Sequence, residues 1–139
     1  MNTSAFDPKR PLIDDRDSGL LMAAMDRPIT ADEIMVLEQT LRVRSVSTLS
    51  PKAMSSVREL RVTASCKCGC ATVWFGPDGD AARGIKAAEA CGTWNGQSID
   101  IIVWSADGQI VGLEVVGDGA VGLPDPGSVR LLEQWFQAT

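Results

Sequence analysis

The chain has 139 residues, 45% apolar and 22% charged, with a formal net charge of −5 and no histidine. That is enough chain for one domain with one core, and 13 basic against 18 acidic residues argue against nucleic acid as a partner. Without histidine the common general bases, catalytic triads and mixed-ligand metal sites are gone.

The chain divides into residues 1–29, a flexible N-terminal segment with a short helix at 18–25 closed by Pro28, and residues 30–139, a single α+β domain. The start of the chain, with Asp7, Asp14, Asp15 and Asp17, lacks the basic and apolar regions of a secretory leader. The longest apolar run is only a few residues, too short to span a bilayer. Together these point to a cytoplasmic protein with no membrane partner.

Thr30-Ala-Asp-Glu33 is a capping box, and the helix it opens runs to about Arg42 with Ile34, Leu37 and Leu41 on one face. A serine-rich connector containing Pro51 follows, with room for a further turn after the proline. Residues 57–75 read as a long first strand. Its cysteines, Cys66, Cys68 and Cys70, sit two apart, so they share a face in unbroken strand. Gly69 marks a bulge between them. A turn cluster at 76–80 leads to a second strand over 85–93. Asn95-Gly96, the strongest hairpin signal in the chain, leads to a third strand over 98–104. Asp107-Gly108 turns into a fourth over 109–116, where Val111, Leu113 and Val115 alternate with Gly112 and Glu114. After a loop over 117–127, Asp125-Pro126 opens a last helix through Val129, Leu132, Trp135 and Phe136. The fold class expected is α+β: an N-terminal helix, a four-stranded antiparallel meander and a C-terminal helix.

Four cysteines admit buried free thiols, a zinc site or redox chemistry. Disulfides fit badly with a cytoplasmic setting. The C-x-C-x-C spacing with a distant Cys91 is not the usual zinc knuckle, and in regular strand three sulfurs do not converge on one ion. A tight turn at Gly69 would bring two or three together. Glu89 and Glu114 are the carboxylates placed on strands, and an acid–base pair would need them a few ångströms apart. Trp74, Trp94, Trp104 and Trp135 are either core or contact residues, with Trp94, beside a turn tip, the best contact candidate. The glycine-rich segment 117–122 lacks the lysine of a phosphate-binding loop.

The combination of Leu37-Glu38 on a capped helix, Leu60-Arg-Val, Cys66-Lys-Cys-Gly-Cys-Ala-Thr-Val, Leu113-Glu-Val-Val and Leu123-Pro124 resembles a set of small uncharacterised bacterial proteins. These share a C-x-C-G-C strand and a later Leu-Glu-Val strand, and the likeness covers roughly residues 30–125. Small acidic α+β proteins of this type are found as immunity proteins or neighbours of toxins, so the resemblance implies a toxin-immunity role.

The first expectation is therefore a non-enzymatic protein that binds another protein, a bacterial toxin among the possibilities, as a monomer or homodimer without a cofactor. Trp94, Asp107, Glu114, Asp118 and Asp125 are its candidate contact residues. The alternative is a zinc-stabilised domain using Cys66, Cys68, Cys70 and Cys91. An enzyme using Glu89 or Glu114 is the third reading.

Overall fold

The computed structural model describes residues 22–43, 49–76 and 84–131. Six strands form one antiparallel sheet: β1 (Met22–Pro28), β2 (Arg61–Cys66), β3 (Val73–Trp74), β4 (Ile85–Trp94), β5 (Gln97–Ala106) and β6 (Gln109–Val116). Their spatial order is β1-β2-β3-β6-β5-β4. Helix α1 spans Ala31–Val43 and a five-residue helix α2 spans Pro51–Ser55, with 3-10 turns at Val57–Glu59 and Pro126–Ser128.

This corrects the expected four-stranded meander between two helices. Residues 57–75 are not one strand. Val57–Glu59 is a 3-10 turn, and β2 and β3 are the arms of an antiparallel hairpin pairing Ala64 with Trp74 and Ser65 with Val73. The residue read as a bulge, Gly69, has φ +95 and sits where the chain reverses. Only β4, β5 and β6 form a meander. The chain before them joins at β6, through Val73–Leu113 and Trp74–Gly112, and not at β4. That gives a Greek-key order.

Two further expectations change. Met22–Pro28, read in part as a short helix, is the edge strand β1, paired with β2 from Met22–Cys66 to Pro28–Arg61; residues 18–21 lie outside the described residues. The C-terminal helix is replaced, over its described part, by the Pro126–Ser128 turn and an extended residue Arg130. Asp125 caps the turn by accepting from the Gly127 N–H at 3.1 Å. Arg130 then exchanges two 2.9 Å backbone hydrogen bonds with Cys91, which holds it extended. The rest of that helix, with Trp135 and Phe136, lies outside the described residues.

Helix α1 forms where its sequence requires it. Thr30 Oγ1 accepts from the Glu33 N–H at 3.1 Å while Glu33 accepts from the Thr30 N–H at 2.9 Å, a reciprocal capping box. Arg27 at the end of β1 grips the same carboxylate through two guanidinium nitrogens at 3.0 and 2.8 Å. Burial pushes the Glu33 carboxyl up, but the Arg27 and Thr30 bonds outweigh it and hold the group below the ordinary glutamate range. Ser50 caps α2 through the Ala53 N–H at 3.0 Å.

The core lies between α1 and one face of the sheet. Val36, Leu37 and Leu41 pack with Val73, Ala88, Ala90, Ile101, Val103 and Leu113. A smaller cluster of Ile99, Val115 and Val121 closes the end of the sheet nearest the cysteines, with Cys70 and Ala71 packed against it. On the other face Trp74 lies flat on Gly112, where an added Cβ would run into the indole ring. Among the described residues no helix is long and apolar enough to cross a membrane.

Candidate metal centre

β2 ends at Cys66, the chain turns through residues 67–71, and it re-enters the sheet at Val73. Two backbone bonds shape the reversal, Gly69 N–H to Cys66 O and Cys66 N–H to Thr72 O, both 3.3 Å. Because the turn leaves the ladder, the alternation that separates neighbouring side chains in a strand no longer applies. The three sulfurs of Cys66, Cys68 and Cys70 all lie within 4.8 Å of one another. The sulfurs of Cys66 and Cys68 are 2.7 Å apart.

The backbone of the turn is directed at the sulfurs. The Cys68 N–H donates to Cys66 Sγ at 3.4 Å and the Cys70 N–H to Cys68 Sγ at 3.3 Å. Donors aimed at sulfur favour the charged thiolate. Cys68 is exposed, and the Cys66 S–H together with the Cys70 backbone amide holds its thiol below the ordinary value. Burial, reinforced by the Cys68 side chain, pushes Cys66 up to about 12. Of these two, Cys68 is therefore the easier to ionise, with the Cys66 S–H directed at its sulfur.

The turn is braced from the neighbouring loop. The Ala71 N–H donates to Val121 O at 2.9 Å, and Gly69 faces Ala120 closely enough that an added Cβ would touch it at 3.5 Å. Thr72, fully turned inward, accepts from the Val115 N–H at 3.0 Å and from Cys70 Sγ at 3.3 Å. It thus ties Cys70 to β6. Nothing in the sequence marked Thr72, since a threonine beside a strand is commonplace.

Cys91 does not join the set. It is on β4, four strand spacings from β2, roughly 19 Å at the usual interstrand distance. There it is buried, its thiol raised mainly by that burial, with Sγ 3.6 Å from Arg130 O. The four-cysteine zinc site expected as an alternative becomes a three-cysteine site. No Asp or Glu among the described residues completes it.

The remaining candidates scatter. Glu89 and Glu114 pair with Ile102 from opposite sides, so they share a face two strand spacings apart, roughly 10 Å. Glu114 accepts from Trp104 Nε1 at 2.8 Å, and Glu89 meets Lys86 Nζ at 3.4 Å. Asp107 occupies the β5–β6 turn at one end of the sheet, with φ 53. Trp94, Asp118 and Asp125 gather at the other, where the Asp118 N–H reaches Gln97 and the Asp125 N–H reaches Thr93 O. Trp94 is half-buried and not splayed at the turn tip, because its indole lies against the Gly122 backbone. Trp135 lies outside the described residues.

No protein-family model matches the chain, and neither a curated protein nor a solved structure matches it.

Proposed function

We propose that this protein binds a single thiophilic metal ion on the Cys66–Cys68–Cys70 turn and acts as a metal-binding protein without catalytic chemistry of its own. The observation that carries the reading is the convergence of three sulfurs within 4.8 Å from five consecutive residues. Thiolate sets of this kind suit soft and borderline ions. Tetrahedral metal–sulfur bonds of about 2.3 Å would set the sulfurs about 3.8 Å apart, so the 2.7 Å pair has to open, by χ1 adjustment on a turn. The backbone N–H groups already directed at Cys66 and Cys68 support the charged ligands. The exposed acidic residues Asp118 and Asp125 lie at the same end of the sheet and are the candidate contacts for a protein that delivers or receives the ion.

The test is metal content. Reduced protein, loaded under nitrogen with Zn²⁺ or Cu(I) and desalted, should retain one ion per chain by native mass spectrometry. Cys66→Ser/Cys68→Ser protein should retain none. Bare wild-type chain after both loadings overturns the proposal.

A further inference from the structure

Resting on that reading, we infer that the ion is Cu(I), held by Cys66, Cys68 and Cys70 alone in a three-coordinate thiolate site open to solvent and therefore exchangeable.

The donor set decides between ions. Structural zinc takes four protein ligands, and catalytic zinc takes three plus a water that a neighbouring base activates. Here the described residues offer three. Cys91 is four strands away, the chain has no histidine, and no carboxylate among the described residues stands with the sulfurs. Thr72 Oγ1, 3.3 Å from Cys70 Sγ, is buried and already engaged with both the N–H and the C=O of Val115. Among the described residues, then, a fourth ligand for zinc would have to be water, with no base to use it. Cu(I) is soft and prefers sulfur. It has a filled d shell and accepts three thiolates in a plane without a fourth donor, which is what a C-x-C-x-C turn supplies.

Exposure sets the second half of the inference. Cys68 lies on the surface, Lys67 and Gly69 beside it are also exposed, and Cys66 and Cys70 are only half-buried. The turn is thus accessible to an incoming thiolate, the step by which a soft ion would pass between proteins. Binding forms Cu–S bonds while the displaced thiol protons pass to solvent, and no electron changes hands.

Reduced full-length protein is titrated under nitrogen with Cu(I) against bathocuproine disulfonate, and separately with Zn²⁺ against a weak chromophoric chelator. The expected result is one Cu(I) per chain that withstands the competitor and shows three sulfur neighbours by X-ray absorption, with Zn²⁺ surrendered to the weak chelator. Cys68→Ser and Cys70→Ser should each weaken Cu(I) binding beyond the roughly 100-fold that loss of a mere supporting group costs. Cys91→Ala should leave it unchanged, with far-UV circular dichroism confirming that each variant is folded. Zinc held against the chelator with a light-atom fourth ligand overturns the copper assignment and leaves the metal-binding reading standing. Copper bound by two sulfurs, with Cys70→Ser silent, overturns the three-coordinate site. Failure to hold either ion ends both.

Discussion

The two halves of the sheet are built differently. β4, β5 and β6 run for ten, ten and eight residues, and two-residue turns with positive φ at Asn95, Gly96, Asp107 and Gly108 join them. Each pairs with its sequence neighbour, and between them they bury Ala88, Ala90, Ile101, Val103 and Leu113. β2 and β3 have six and two residues, and the segment between them carries the three sulfurs. An amide inside a ladder is committed to a carbonyl. The amides of Cys68 and Cys70 are outside it and reach sulfur instead. Stability is concentrated in the long half, and chemistry becomes possible where the short half leaves the ladder.

That division is open to test by substitution. The largest effect belongs to the long half: Leu113→Ala, at a fully buried β6 position, should cost about 2–5 kcal/mol. Thermal unfolding by circular dichroism should show the melting point falling by roughly 6–15 °C. At the seam, Gly112→Ala drives a methyl into the Trp74 ring and should cost about 1–3 kcal/mol, with a changed near-ultraviolet tryptophan signal. An unaltered spectrum would mean that Trp74 does not rest on Gly112.

The short half has its own anchor, the Arg27–Glu33 pair joining β1 to α1. Glu33 is held below its ordinary value in the folded state. Its contribution is therefore present above the unfolded value of about 4.3 and lost as pH falls through the folded value. Glu33→Gln should cost about 1–2 kcal/mol at neutral pH and flatten the stability loss below pH ~4 in denaturant titrations. The smallest effect sharpens the contrast most. Cys68→Ser, on the exposed turn, should change metal-free stability by less than about 0.5 kcal/mol while removing metal retention. A large loss of stability would place Cys68 in the structural framework and not in a ligand set.

Local chemistry explains which parts of this architecture the sequence reveals. Asn95-Gly96 and Asp107-Gly108 announce their turns because positive φ is a property of those residues, so β4, β5 and β6 fall within a residue or two of where the pattern puts them. Thr30 and Glu33 likewise mark α1. β1 leaves no such trace. Met-Ala-Ala-Met-Asp-Arg-Pro has no alternation, and its strand form comes from pairing with β2 far along the chain. The hairpin at Gly69 was hidden for a related reason. A bulge and a reversal both want a glycine, and the choice is made by β6, which takes Val73 and Trp74 as partners. The same long-range order separates Cys91 from the other cysteines. Spacing shows that three thiols can meet at a turn, but strand order decides that the fourth does not.

The bond between Arg130 and Cys91 bears on how the molecule behaves among its copies. β4 is an edge strand, and an edge strand offers its free amides and carbonyls as a template for a neighbouring chain. Here both outward groups of Cys91 are already occupied by Arg130, and the bulge between Lys86 and Ala88 breaks the run a few residues away. Too short a stretch of that edge is left uninterrupted for another strand to zip along it, so the long hairpins that hold the fold together are kept from nucleating fibrils through this side.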